Sequence, residues 1–286
     1  WHGKAAKPEM VPIIEDELES QFMIAPSIIA GDMSNLDKEV KRCEDGRADY
    51  IHLDVMDGQF VPNKTFDHTK IKELRPLTLI PFDTHLMIDA PVKHVQDYID
   101  AGSDIITVHA EVCDESSFGE ISDMLRSNQV GIGLAINPDT ELPEWCYKFA
   151  ELLDQVIIMS VVPGKSGQKF IESTHEKTKR VAKDLREHKF EGYIEADGGV
   201  NLENIGSCFE DGARAFVGGS AIIGQNDVRM IIKEFRNQVL ESRRRLLIKK
   251  AHELGGTEFV NGWIDLHVVG EKKDKLVQIA KELGFQ

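Results

Sequence analysis

Eight short apolar segments, most of them rich in Ile, Val and Leu, recur along the chain at roughly 25–35 residue intervals. They are 22–28 (FMIAPSI), 49–55 (DYIHLDV), 81–88 (PFDTHLMI), 104–110 (DIITVHA), 130–136 (VGIGLAI), 155–161 (QVIIMSV), 192–197 (GYIEAD) and 214–220 (RAFVGGS). Segments this apolar suit strands buried on both faces, as in parallel sheets. The stretches between them are charged and carry apolar residues at helical spacing, such as Leu36, Val40 and Cys43, or Val92, Val95, Tyr98 and Ile99. Strands alternating with helices make parallel βα units, and eight such units close a barrel. The expected fold class is therefore α/β, a (β/α)8 TIM barrel, with an open doubly wound sheet as the structural alternative.

The barrel is expected over residues 21–240. Ile231, Phe235, Val239 and Leu246 place a long closing helix over 228–253, which Gly255 and Gly256 break. Residues 1–20 read as an N-terminal arm or tag remnant, with no charged-then-apolar signal pattern. Residues 241–286 read as a short C-terminal helical extension, in which an extended piece precedes one more amphipathic helix. The basic run Arg243, Arg244, Arg245, Lys249 and Lys250 reads as a solvated helix face.

Composition narrows the partners. Among 286 residues, 34 Lys and Arg face 49 Asp and Glu, a net charge of −15. This balance argues against a nucleic-acid surface, which needs clustered positive charge. An anionic small substrate stays open, because backbone N–H groups can hold phosphate inside a cleft. Cys43, Cys113, Cys146 and Cys208 are scattered, with no CxxC pair, and read as reduced thiols of a cytoplasmic chain. No apolar run reaches the roughly 18 residues of a membrane helix, so no membrane partner is expected.

Barrel enzymes build their active sites at the C-terminal ends of the strands. The polar residues expected there are Ser27, His52, Asp54, His85, His109, Asn137, Ser160 and Asp197. Residues i and i+2 on a strand face the same way, so His52 and Asp54 enter the interior together. His85 can join them from the next strand, and Asp197 from across the barrel. Two imidazoles and two carboxylates form a mixed N/O set suited to one divalent ion of Zn, Mn, Fe or Co. Buried charges amid apolar runs must be paired or metal-bound, which disfavours four unrelated core residues. A second constellation is glycine-rich: Gly164, Ser166, Gly167 and Gln168 after strand 6, Gly198 and Gly199 after strand 7, and Gly219 and Ser220 after strand 8, at the expected start of a short helix. Glycines at adjacent strand ends let the backbone approach a phosphate closely.

These motifs resemble a known family. IAPSIIAGD, ADYIHLDVMDGQFVPN, DTHLMI, AGSDIITVHAE, IMSVVPGKSGQKF, EADGGVN and GGSAIIG are similar, in order, to the motifs of ribulose-phosphate 3-epimerases, over roughly residues 22–224. The resemblance implies that His52, Asp54, His85 and Asp197 bind the metal. It implies that Asp54 and Asp197 are also the catalytic acid/base pair. Ser27 would touch the substrate, Met56, Met87 and Met159 would line the reacting centre, and the glycine-rich loops would hold the phosphate. The implied partner is a small-molecule sugar phosphate, D-ribulose 5-phosphate, and the implied assembly a homo-oligomer. Three departures lie in the strand-6 loop. Val162 replaces a usually polar residue, Lys165 a Phe, and Ser166 a Gly or Ala. They keep open another ketose phosphate, such as allulose 6-phosphate or a tetrulose phosphate; a non-catalytic barrel is the more distant alternative. The related orotidine-phosphate decarboxylase-like barrels place a Lys two residues after the strand-2 Asp, where this chain has Met56.

Overall fold

Eight parallel strands form one sheet: β1 (Met23–Pro26), β2 (Ile51–Met56), β3 (Phe82–Met87), β4 (Ile105–His109), β5 (Gly131–Ile136), β6 (Gln155–Met159), β7 (Tyr193–Asp197) and β8 (Ala213–Gly218). The computed structural model describes residues 9–11, 22–253, 257–258, 264–266 and 271–282. Neighbours in the sheet run β1-β8-β7-β6-β5-β4-β3-β2. A parallel bridge between Ser27 and His52 joins β1 to β2 and closes the ring. The expected (β/α)8 barrel is therefore the fold, and the open doubly wound sheet is not.

Helices α1 (Leu36–Asp45), α2 (His68–Leu74), α3 (Val95–Asp100) and α4 (Glu115–Ser127) follow β1 to β4; α5 (Thr174–Glu187), α6 (Ile205–Glu210) and α7 (Val228–Glu253) follow β6 to β8. A 3-10 helix, Glu144–Leu152, stands after β5. The helices form where local chemistry predicts. Leu36, Val40 and Cys43 make the buried stripe of α1. Asp67 caps α2 through the Thr69 N–H (2.9 Å), and Asp114 and Ser117 form a capping box at the start of α4.

One device recurs at the N-terminal rim. Asp49, Asp104 and Asp154 stand just before β2, β4 and β6. Each carboxylate accepts a backbone N–H from the start of the preceding strand: Ile24 at 2.7 Å, Phe82 at 2.7 Å and Ile132 at 2.8 Å. Arg236 on α7 reinforces the first of these, pairing with Asp49 at 2.9 Å. Three otherwise unpaired donors at strand starts are thereby satisfied, and adjacent strands are pinned in register.

The chain divides into two compact units, residues 22–238 and residues 1–21 together with 239–286. In the second, a three-stranded antiparallel sheet places Ile264–Leu266 between Glu9–Val11 and Thr257–Glu258. Helix α8 (Glu271–Glu282) follows. Most of the arm expected over 1–20 lies outside the described residues. After β8 the chain makes hydrogen-bonded turns from Gly219 to Gly224, with Ile222 and Ile223 both donating to the Gly219 carbonyl, in place of the short helix expected there. The polar run Gly224 to Asp227 has no apolar spacing to extend a single turn.

The barrel interior tolerates no extra atom at β5. A Cβ on Gly133 would lie 1.9 Å from the Thr107 Oγ1 on the neighbouring strand. Gly133→Ala should therefore cost about 1–3 kcal/mol through overpacking. Thermal unfolding should show a midpoint lower by several degrees, and an unchanged midpoint would contradict this close packing.

Candidate active site and metal centre

The site grows from two adjacent strands whose registers interlock. On β2, His52 and Asp54 are two residues apart; on β3, Asp83 and His85 are two apart. The sheet pairs His52 with Asp83 and Asp54 with His85. All four side chains enter the barrel, and each imidazole stands beside a carboxylate of the neighbouring strand. Asp197 arrives at the end of β7, where its strand partner is Met159.

Four atoms converge. The His52 Nε2 lies 3.4 Å from Asp54 Oδ1 and 3.6 Å from Asp197 Oδ2; the His85 Nδ1 lies 3.3 Å from each of the same oxygens. Both histidines are 0% exposed, Asp54 is 6% and Asp197 7%. Edges of this length suit a tetrahedral set of N and O ligands with bonds of about 2.0–2.2 Å. The His52 Nε2 and Asp197 Oδ2 are buried and have no hydrogen-bond partner. Orphaned polar atoms aimed at one point are what a cation would satisfy. The donor set thus fits a divalent ion. Charge and burial work together here. Burial alone would raise the Asp54 and Asp197 carboxyls and lower the imidazoles. Instead the His52 and His85 contacts hold both carboxyls below their ordinary range, and the carboxylates hold both imidazoles above theirs.

Each converging group is also held from behind. The Ser27 hydroxyl donates to Asp54 Oδ2 at 2.5 Å. His52 Nδ1 meets Asp83 Oδ2 at 2.6 Å, which leaves Nε2 as the nitrogen turned toward the centre. Gln155 Nε2 donates to Asp83 Oδ1 at 3.0 Å. Glu195, also fully buried, lies 3.4 Å from His52 Nδ1. Burial, then the Asp83 charge, pushes the Glu195 carboxyl well above its usual range. On the other side, His85 Nε2 meets His109 Nε2 at 2.8 Å, and His109 Nδ1 meets Glu111 Oε2 at 3.0 Å. Burial lowers the His109 imidazole; burial would raise the Glu111 carboxyl, but the contacts to His109, Asn137 and Thr140 together bring it down to about 2.

Above this floor opens a pocket. Ser27, Asp54, Met56, Met87, Met159, Asp197 and the glycine-rich loops all line it, so every expected substrate-binding position meets in one place. The histidines lie beneath, and the two carboxylates face the cavity. The loops differ in what their glycines do. A Cβ at Gly198 would strike Val161 at 2.4 Å, and one at Gly199 would strike the Phe170 backbone at 2.6 Å. Both also have positive φ. These two glycines are therefore required by the approach of the β6 loop, whatever they hold. The Ser160 hydroxyl ties the two loops further by donating to the Gly198 carbonyl at 2.7 Å. A Cβ at Gly167 would meet nothing within 4 Å, and one at Gly219 only Ala30 at 3.6 Å. Those two positions have room. Gln168 stiffens the β6 loop by donating to the carbonyls of Val162 (2.6 Å) and Lys165 (3.0 Å), and Asn63 clamps it through the Gly164 carbonyl at 2.5 Å. Lys165, exposed, is the one cation lining the pocket among the described residues.

The family model for the ribulose-phosphate 3 epimerase family matches residues 23–223. The chain belongs to this family. It is 41% identical over 214 residues to the ribulose-phosphate 3-epimerase of Bacillus subtilis, covering 74% of this chain and 97% of that one. The chloroplastic enzyme of Arabidopsis thaliana is 40% identical over 215 residues, covering 75% and 76%, and the Escherichia coli K12 enzyme 37% over 220, covering 77% and 96%. Among solved structures, the 3-keto-L-gulonate-6-phosphate decarboxylase of Vibrio cholerae superposes with a TM-score of 0.57 at 13% identity, covering 78% of this chain and 99% of that one. KGPDC from Streptococcus mutans gives 0.56 at 13%, covering 78% and 99%. At that identity the likeness concerns the fold alone.

Family members are epimerases, hence isomerases, and the His52, Asp54, His85 and Asp197 set is a buried group able to hold a metal ion. Asp83, Gln155, Glu195 and Glu111 are not among the residues singled out from the sequence; His109 is, as a polar strand end, but without a role. The signal was there for two of them, since Asp83 stands two before His85 and Glu195 two before Asp197 on the same strand face. No helix among the described residues is long and apolar enough to cross a membrane.

Metal binding should depend steeply on pH. The carboxylates raise both imidazole pKa values, so the metal-free site keeps protons on His52 and His85 that an ion must displace. Affinity should fall as pH drops below those values, approaching about 100-fold per pH unit when two protons leave per ion. Competition against a chelator across pH 5.5 to 8 measures this slope. A pH-independent affinity would mean that the imidazoles are not ligands.

Proposed function

We propose that the protein interconverts D-ribulose 5-phosphate and D-xylulose 5-phosphate by inverting C3, with Asp54 and Asp197 exchanging the proton. The observation that carries this reading is that two carboxylates share the same two imidazoles at the floor of a pocket. Inversion beside a ketone needs a proton removed from one face of the sugar and another delivered to the opposite face. Asp54 on β2 and Asp197 on β7 stand three strands apart around the barrel, so their oxygens can approach a bound sugar from different sides. One acts as base while the other acts as acid, and the roles exchange in the reverse direction.

His52, Asp54, His85 and Asp197 would hold the divalent ion. When bound there, it supplies positive charge that stabilises the oxygens of an enediolate, by several kcal/mol in typical cases. The chain does the rest. Ser27 keeps Asp54 oriented through Oδ2. Met56, Met87 and Met159 present uncharged, polarisable walls to the reacting carbons. The β6 loop and the Gly198–Gly199 and Gly219–Ser220 turns close around the far end of the pocket, where backbone N–H groups suit a phosphate. Lys165 adds a positive charge on that rim, and together with Val162 and Ser166 it favours a second reading, in which the same chemistry acts on another ketose phosphate such as allulose 6-phosphate or a tetrulose phosphate. The four free cysteines accord with a cytoplasmic enzyme.

Proton exchange in D2O followed by NMR, with and without a chelator, tests the reading. Deuterium should enter C3 of ribulose 5-phosphate as xylulose 5-phosphate appears, and a chelator should stop both. Exchange on allulose 6-phosphate alone would transfer the assignment to the second reading. Asp54→Asn and Asp197→Asn should each lose at least about 10²–10⁴ in kcat with the barrel intact; near-full activity in either would sink the two-carboxylate mechanism. Lys165→Phe should raise KM for the phosphorylated sugar with kcat nearly unchanged, and an unmoved KM would remove Lys165 from the phosphate site.

A further inference from the structure

Behind His85 the buried polar chain continues through two residues that the proton transfer does not use. The His85 and His109 rings stack at 5.0 Å with 20° between their planes, and their Nε2 atoms face each other at 2.8 Å. His109 is fully buried and turns its Nδ1 to Glu111 Oε2 at 3.0 Å. The other Glu111 oxygen accepts the Asn137 N–H at 2.7 Å. That turn is anchored in its own right: the buried Lys177 ammonium donates to the carbonyls of Asn137, Pro138 and Thr140. Phe60 packs on the open face of His109, with centroids 4.8 Å apart.

The hydrogen count along this chain runs in one direction. A carboxylate only accepts, so His109 carries its proton on Nδ1 toward Glu111. The His109 Nε2 is then a bare acceptor. Two ring nitrogens at 2.8 Å bond only if one of them carries hydrogen, so His85 donates from Nε2. The His85 Nδ1, 3.3 Å from Asp54 and Asp197, is then the nitrogen that gives up its proton when an ion enters, which frees its lone pair. That is the form in which an imidazole ligates a metal.

We propose that His109 and Glu111 are positioning residues that set the ligating tautomer and ring orientation of His85, and thereby the retention of the metal. The arrangement differs from the support of His52, which a carboxylate holds directly at 2.6 Å. His85 instead leans on a neutral ring, with the carboxylate one step further out and tied to the β5 turn. The inference rests on the proposed metal centre.

The test is Co²⁺ binding to the metal-stripped full chain, read by chelator competition and by the visible absorption of the bound ion. The wild type should take up one Co²⁺. Glu111→Ala and His109→Phe should each weaken binding by about 10–100-fold, as loss of outer partners of a ligating His typically does, and should change the Co²⁺ band. Glu111→Gln keeps one acceptor oxygen and should fall between wild type and Glu111→Ala. Wild-type affinity and an unchanged band in folded Glu111→Ala and His109→Phe would overturn the relay while leaving the metal centre standing. A wild type that takes up no Co²⁺ would overturn the centre and the relay together. Should Glu111→Ala fail to fold, nitrogen-15 NMR of the wild-type imidazoles decides. With Zn²⁺ bound, hydrogen on His85 Nε2 supports the proposal, and a His85 Nε2 without hydrogen overturns it.

Discussion

Four buried ionisable side chains meet at one point inside the barrel, at the floor of a pocket. Burying Asp54 and Asp197 together without compensation would cost several kcal/mol per charge, a large share of a domain's net stability. The two imidazoles between them, at 3.3–3.6 Å, make the arrangement tolerable. They accept protons, or a cation, in the space the carboxylates surround. Much of the interior follows from that requirement. Ser27, Asp83, His109, Glu111, Gln155 and Glu195 are there to satisfy or orient the groups at the centre.

The consequence is a barrel with a polar middle. Barrel interiors of this size are ordinarily filled by layers of branched apolar side chains. Here Asp83, Gln155 and Glu195 gather on one side of His52, and Asp54, His85 and Asp197 on the other. Apolar packing stands beside it: Ala135, Ile157, Met159 and Val161 form one cluster and Met56, Val61 and Met87 another, and Met56, Met87, Met159 and Val161 reach the pocket wall. Such a polar stack holds only if strand register is fixed, because a slip of one residue would turn every one of these groups away from the interior. The aspartates before β2, β4 and β6 supply part of that register from the opposite rim. The end that binds and the end that stabilises are thus separated along the same strands.

Family kinship and geometry contribute different things. Identity of 36–41% with epimerases across the barrel assigns the chain to its family. The superposed structures share the barrel at 13% identity, and one of them is a decarboxylase by name. A common scaffold therefore says little about chemistry, and the distinction lies in what occupies the strand ends. At the position two residues after Asp54 this chain carries Met56, an uncharged wall.

Much of this was legible in the sequence. Apolar segments of period near that of a βα unit determined the strands, because a strand buried on both faces has few alternatives to Ile, Val and Leu. The i, i+2 rule brought His52 together with Asp54, and strand-end location brought His85 and Asp197 to them. The supporting residues could not be assigned in the same way. Asp83 and Glu195 share a strand face with His85 and Asp197, yet their partners lie 31 and 143 residues away along the chain, at His52. The register that makes those pairs is a property of the closed sheet. Likewise Gly198 and Gly199 read as phosphate glycines, and only the folded loops reveal that Val161 and Phe170 occupy the space a side chain would need. The sequence by itself determined which groups stand at the strand ends, since periodicity is local. Tertiary structure decided which of them touch and which atom of each faces the centre, since those depend on strand register, ring closure and the hydrogen-bond partner behind each side chain.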